Sequence, residues 1–306
     1  MTDYDYLNAT LNNDEGKYTV PAPLAKQIID NVYRSSGLLQ LLRKWPMSSV
    51  TESIPLLSTG STATYTSAEG AAKGNTQPVF GLMTLTAKEL AAVVVTTELL
   101  LKTSNIANIA NVIQEDLVNA FVTAKEKEYL GYAGAVYTSD LTTQTPADHT
   151  IAAGTGDDIV VDISNALACI EEHIVGNPRI AFATHPAVRA QLRNLRSATD
   201  KLPIFQPANG QAPDTLFGYP IVYSGNFEAT GSPEGYELFV ADWNKVIEGN
   251  LQGLQLAKSS EASIVLADAS TVNLFQMNMV AIKAWLYSAF EIADVNILAK
   301  VTGLGI

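Results

Sequence analysis

The sequence predicts a mixed α+β fold in which a projecting β arm and one long helix precede alternating helices and strands. Three observations predict it. Between Val20 and Gly131 a short helical pattern leads into a Gly/Ser/Thr-rich β excursion, a strand pair returns, and an amphipathic helix follows. The excursion from Ser48 to Gln77 is small and polar, with no evident core of its own, and compact domains rarely keep so long an unsupported arm. Beyond Asp157, helix and strand patterns alternate without the regular βαβ repeat of a doubly wound sheet. An arm without a core makes sense if another subunit supplies the surface it lies on. That points to an assembly protein rather than an enzyme.

Residues Met1 to Thr19 are polar and aperiodic, and read as an extended arm. Pro21 and Pro23 open a helix, because proline costs nothing in a first turn whose N–H groups are unpaired. Leu24, Ile28, Ile29, Val32 and Tyr33 follow at helical spacing, with Gly37 as the stop. A short apolar stretch, Leu38 to Leu42, precedes Trp45-Pro46. Ile54-Pro55-Leu56 reads as an edge strand, since proline cannot donate to a central ladder. Thr62 to Thr66 alternates like a strand, Ser67 to Gly74 is a small flexible tip, and Val79-Phe80, Leu82 to Thr86 and Ala92 to Thr97 return from it.

Ser104 or Asn105 caps the next helix, whose apolar stripe is Ile106, Ile109, Ile113, Leu117, Phe121 and Ala124. Lys125 and Lys127 sit near the negative end of its dipole, and Gly131 is a left-handed stop. At about 1.5 Å per residue this spine is roughly 40 Å long. A Gly/Thr/Asp-rich stretch from Tyr137 to Asp157 reads as the domain boundary. After it, Asp157 or Asp158 caps a helix burying Ile159, Ile163, Leu167, Ile170 and Ile174. Arg179 to Ala183 is a strand, and Pro186 starts a helix through Val188 and Leu192. Further strands are read at Ile204-Phe205, Phe217 to Val222, Leu238 to Ala241, Gly253 to Ala257, Val280 to Leu286 and Ile297 to Val301.

With 306 residues the chain can bury a large core, as one domain or two. Its 47% hydrophobic and 16% charged residues exclude global disorder, and the low charge suits a subunit covered by neighbours. The net charge of -12 and the lack of any Lys/Arg-rich block exclude a sequence-reading nucleic-acid domain. An acidic shell can still enclose DNA without gripping it. The single cysteine, Cys169, rules out an internal disulfide, and its apolar neighbours predict a buried core thiol. The start, Met1 to Asp5, lacks the features of a signal peptide. No run approaches about 18 continuous apolar residues, so no membrane span is expected and the chain reads as a cytosolic product.

Catalytic signals are weak. His149 reads as a solvated loop residue, His173 as a helix-surface residue and His185 as a helix-start residue; none has the partner spacing of a zinc site. Gly154-Thr155-Gly156 lacks the Gly-Lys-Ser/Thr of a phosphate-binding loop, and no Gly-x-Ser-x-Gly elbow exists. Asp157-Asp158 and Glu171-Glu172 are adjacent pairs pointing to different helix faces, so neither forms an acid/base dyad. The aromatic residues are not interleaved with bases as in a single-strand stacking platform, and Trp45, Trp243 and Trp285 read as core or interface anchors. No catalytic residue, metal or cofactor is expected.

Taken in order, these parts resemble the major capsid proteins of tailed bacteriophages, with the Hong Kong 97-type fold, from about Val20 to Gly303. The resemblance rests on Val20-Pro21 with its helix, Trp45-Pro46-Met47 leading into Ile54-Pro55, and Glu69-Gly70-Ala71-Ala72 with Pro78-Val79-Phe80 downstream. Leu85 to Ala92, Glu98-Leu99-Leu100, His185-Pro186 and Gly218-Tyr219-Pro220-Ile221-Val222 extend it. It implies an N-arm and first helix over 1–47, an extended loop (E-loop) over 48–86, a peripheral (P) domain over 87–135 and 253–290, and an axial (A) domain over 136–252 and 291–306. It implies self-assembly as pentamers and hexamers into an icosahedral shell around double-stranded DNA, without sequence-specific binding or a membrane. The location implied is the virion capsid, after synthesis in the host bacterial cytoplasm. A nanocompartment shell of the encapsulin type, enclosing protein cargo, is the alternative. A portal, a possible decoration protein and, given only about twenty residues before the first helix, a separate scaffold protein are the implied partners.

The candidate contact residues are Glu52, Glu69 and Lys73 on the arm, expected to pair across subunits with Lys125 or Glu126 on a neighbouring spine. A solvated loop charge is the alternative for Glu69. Lys73 stands where some relatives carry a cross-linking lysine, although a solvated charge also belongs at such a tip.

Overall fold

The computed structural model describes residues 31–32, 36–61, 63, 65, 76–99, 106–134, 136–154, 158–174, 176–196, 215–231, 234–265 and 270–305. The N-terminal arm, most of the first helix, the tip with Glu69 and Lys73, the Ser104/Asn105 cap and the strand read at Ile204 lie outside these residues. So do most of the strand read at Thr62 to Thr66 and the side chains of Ile106 and Ile109.

The chain builds two main sheets, and one long helix packs on the first of them. The first has the order β1 (Arg43–Pro46), β10 (Val246–Ser259), β13 (Met279–Ile292), β4 (Lys88–Thr97). β1 runs parallel to β10, and the remaining neighbours are antiparallel. β10 and β13 pair from Val246 opposite Ile292 to Ser259 opposite Ala281, with bulges near Gln252. A projecting hairpin of β2 (Thr51–Thr59) and β3 (Val79–Thr86) leaves one end of this sheet, and a smaller one of β11 (Ser263–Val265) and β12 (Thr271–Asn273) interrupts the β10–β13 connection.

The second sheet has six strands: β5 (Thr150–Ala152), β14 (Leu298–Leu304), β9 (Tyr236–Asp242), β6 (Ile180–Thr184), β8 (Tyr219–Tyr223) and β7 (Thr215–Leu216). β6 is buried at every position and β9 at all but its first, as a central strand covered on both faces requires. α4 (Asp158–Glu171) and α5 (Pro186–Asn194) provide the crossovers from β5 to β6 and from β6 to β8. α4 buries Ile159, Ile163, Ala166, Leu167 and Ile170, one stripe at steps of three and four.

The spine is α2 (Ile106–Leu130), with Leu117, Val118, Phe121, Val122, Tyr129 and Leu130 buried in the main core. It stops where the sequence places the stop: Gly131 has φ +91° and its N–H bonds to the Lys127 carbonyl. Around it lie α1 (Gly37–Leu41), capped by Ser36, and α3 (Leu141–Gln144), capped by Asp140.

Several readings need correction. Gly37 begins a helix rather than ending one, because the Ser36 hydroxyl accepts from the Leu39 N–H as an N-cap. The single strand read at Gly253 to Ala257 is part of the fourteen-residue β10. The stretch from Tyr137 to Asp157 is no open linker. It contains α3, a 3₁₀ turn (Ala147–His149) and β5, with Tyr137 and His149 buried. Its polar residues serve as caps and turns, which resemble linker composition. Cys169 is half-buried on the flank of α4, not a core thiol.

A Cβ at residue 131 would meet Asp140 Oδ1 at 2.4 Å in a backbone conformation that L side chains avoid. Gly131→Ala is expected to cost more than about 1 kcal/mol, read as a lower urea midpoint with an unchanged slope.

Candidate functional site

Among the described residues the distinctive features are the projecting hairpin and the buried bonds that fix the spine. Register sets the hairpin's two faces. Ile54 lies opposite Met83, Glu52 opposite Leu85, Leu57 opposite Phe80 and Pro55 opposite Leu82. Because side chains alternate along a strand, Ile54, Met83 and Leu85 share one face. They pack with Met47, Ala87, Ile247 and Ala289 in a second core beneath the hairpin root. The opposite face carries Leu57, Phe80 and Leu82, exposed by 59, 66 and 77%. Both faces are therefore apolar, but only one has a partner within the described chain.

Glu52 fixes the angle at which the hairpin leaves. One carboxylate oxygen accepts from Trp45 Nε1 at 3.2 Å, and the other from the Ser48 N–H at 2.9 Å. These bonds hold the carboxyl below its ordinary range, the Ser48 N–H contributing most and the indole next. Glu52 is thus turned into its own chain, across the elbow between β1 and β2.

The spine residues are likewise committed inside the subunit. Lys125 Nζ donates to Glu248 Oε1 at 2.7 Å, and the pair is 4% and 0% exposed. The Tyr129 hydroxyl donates to the same oxygen at 3.1 Å, while its ring stacks on Phe290 with centroids 4.3 Å apart. Glu126 accepts from the Ser36 and Ser224 hydroxyls and, at 2.5 Å, from Asn226 Nδ2. Lys125 and Glu126, the expected partners of a neighbour's arm, thus make these bonds within their own chain. Each is buried with partners from its own chain, so neither is presented on an outer face. Glu69 and Lys73 lie outside the described residues.

Beyond the end of the spine, Tyr132 donates to Glu237 Oε2 at 2.8 Å, and Lys300 pairs with Glu237 Oε1 at 3.0 Å. Burial, then the Glu237 charge, pushes the Tyr132 hydroxyl far above its usual pKa, and burial pushes Tyr137 up to about 12. Glu237, Glu248, Lys300 and Ser36 escaped the sequence reading. A lone charge inside an apolar strand pattern, as in Val246-Ile247-Glu248, is the signal that marks such buried partners.

Two of the three histidines, His149 and His173, lie close together, with ring centroids 5.7 Å apart. His149, expected in solvent, is buried with Nδ1 2.8 Å from the Leu298 carbonyl, because the segment around it is structured. His173 lies exposed 3.1 Å from the Cys169 carbonyl, and His185 caps α5 and stacks on Tyr236. Among the described residues no group of three or more His, Cys, Asp or Glu is placed to hold a metal ion. Nor is any described helix long and apolar enough to cross a membrane.

The comparison with family models decides what such a chain is. Residues 16–303 match the model described as the phage capsid family. The chain belongs to the phage capsid family. Its fold is similar to solved structures from Microbacterium phage Oxtober96 (24% identity, TM-score 0.66, covering 87% of this chain and 90% of that one). It is similar also to one from Gordonia phage Cozz (17% identity, TM-score 0.68, covering 87% and 86%). A third, titled as the capsid of a native GTA particle, has 15% identity and TM-score 0.64, covering 89% of each chain. No curated protein sequence matches. The mixed α+β architecture read from the sequence is thus a capsid fold, and the protein is a capsid shell protein of the virion.

Two outcomes follow for this capsid protein. Lys125→Met leaves Glu248 buried and uncompensated, at an expected cost of about 3–5 kcal/mol, measured by chemical denaturation. Glu52 has a lowered carboxyl pKa, so the order it gives the elbow is full above pH 4.5 and lost as pH falls through its folded value. Trp45 fluorescence should report that acid transition, and Glu52→Gln should remove it.

Proposed function

We propose that this capsid protein assembles with copies of itself, as pentamers and hexamers, into an icosahedral shell enclosing double-stranded phage DNA. The carrying observation is the hairpin's outer face. Leu57, Phe80 and Leu82 stand in solvent on an arm whose other face is anchored in its own core. An exposed apolar face on a projecting element marks an interaction surface. A repeated shell gives every copy a neighbour on which to bury it. In this reading the hairpin is the E-loop, the four-stranded sheet with α2 is the P domain, and the six-stranded sheet is the A domain. On the same reading the acidic chain, with a net charge of -12, holds DNA by enclosure rather than by grip.

Burial of each such side chain contributes about 1.5–3 kcal/mol, and closure multiplies modest contacts over many copies. Phe80→Asp with Leu82→Asp is expected to abolish shells seen by electron microscopy, with or without a coexpressed scaffold protein, while the subunit melts as before. Shells formed normally by that variant would count against the reading. Nuclease-protected double-stranded DNA in particles from infected cells supports enclosure of a genome; protein cargo in its place would overturn it.

A further inference from the structure

The outer flanks of the six-stranded layer carry opposite charge, and that segregation reaches beyond the hairpin. α4 and α5 cross over in the same direction onto one face of the sheet, as right-handed connections between parallel strands require. The groove between them is lined by Ile159 of α4 and by Ala187, Ala190, Gln191 and Asn194 of α5. Val188 and Leu192 of α5 point into the core.

At about 3.6 residues per turn, Arg189 and Arg193 fall on the flank of α5 turned away from this groove, and Arg196 follows just past the helix end. The Arg189 guanidinium lies 5.3 Å from the ring of Tyr223 on β8, towards the β8–β7 edge. All three arginines are exposed.

α4 packs on β14, β5 and β9, so its outer flank faces the opposite edge of the sheet. That flank carries Asp158 and Asp162, with Glu172 just past the helix end and Asp148 before β5 both acting on Cys169 of the same flank, whereas Glu171 reaches the other way, to the Tyr219 hydroxyl of β8. Asp162 accepts from the Gly154 N–H beside β5 at 2.6 Å. Cys169 lies on this flank too, and its thiol is raised first by burial, then by the Glu172 and Asp148 charges. α4 contains no Lys or Arg and α5 no Asp or Glu. None of the ion pairs found among the described residues uses any of these groups.

We infer that the arginine flank of α5 in one copy docks on the acidic flank of α4 in the next copy, as a head-to-tail ionic contact between six-stranded layers. This rests on the proposed self-assembly and names which charged flanks meet. The occupant is a second copy because the complementary charge is present in the same chain, at the other edge of the same layer, and no ion pair found among the described residues uses it. A contact between two different patches closes into a ring when its rotation permits, with every subunit using both. Charge complementarity then fixes order and register more than raw affinity.

Charge reversal tests the pairing. R193E with R196E, and separately D148K with E172K, should each lower the yield of closed shells at least tenfold while the free subunit keeps its melting temperature. The four substitutions together restore opposite charge between residues 193 and 196 of one copy and 148 and 172 of the next, and should recover part of the yield that either reversal alone loses. Independently, R193C with E172C in a C169S background should form disulfides between copies on mild oxidation of assembled particles, which neither single cysteine gives. Shells unaffected by either reversal, no rescue by the combination of folded variants, or no inter-copy disulfide would overturn the inference. So would an arginine reversal that removes only co-purifying nucleic acid, which would make the flank a phosphate contact. Failure of the unmodified chain to associate, even with its scaffold, would instead strike the assembly reading itself.

Discussion

The fold depends on one helix end being fixed in three directions by buried polar bonds. In the last turns of α2 and just after it, Lys125 and Tyr129 reach Glu248 in the four-stranded sheet. Glu126 reaches Ser36 at the start of α1 and Ser224 and Asn226 beyond β8. Tyr132 reaches Glu237 in the six-stranded sheet. Apolar packing alone would let two sheets slide on a helix, since the hydrophobic effect has no direction. Buried hydrogen bonds have direction and are costly to leave unmade, so they select one arrangement. The Lys125–Glu248 pair is better understood as a geometric constraint than as a source of net stability, because desolvation offsets much of its attraction.

With the two sheets fixed, the hairpin inherits a defined exit. Its root rests on Met47, Ile247 and Ala289, which belong to the four-stranded sheet or its margin, and Glu52 sets the elbow. Gly249 allows this contact: a Cβ there would meet Met47 Sδ at 2.5 Å and the Ala289 Cβ at 3.0 Å. A long apolar arm on a loose root would lose much conformational entropy on docking. A root packed beforehand lowers that cost.

The sequence showed elements better than partnerships. The spine, α4, α5 and β3 were legible from period and caps, because those signals are local. The buried partners of Lys125 and Glu126 were not legible for a physical reason: charged side chains on a helix usually stand in solvent, where Lys125 would also complement the C-terminal dipole. Nothing local reveals a Glu248 more than a hundred positions away in the chain. The stretch from Tyr137 to Asp157 was misread because cap residues and linker residues are the same chemical types. For the hairpin, the tip's polarity overshadowed the two-sided apolar alternation of Leu57, Phe80 and Leu82, whose meaning depends on which face is anchored.

Two kinds of surface would then divide the work of assembly. An apolar arm supplies affinity with little angular information, so by itself it tolerates slippage and misplaced neighbours. Charged flanks of opposite sign add little net energy where they are exposed, yet they penalise any approach that sets arginine against arginine or carboxylate against carboxylate. A chain of net charge -12 repels its own copies at long range. Gathering the three arginines on one flank makes a local exception to that repulsion, and the exception selects a lateral approach. Repulsion everywhere else then opposes association in other orientations, so the excess of acid favours order in the shell without weakening the contact that builds it.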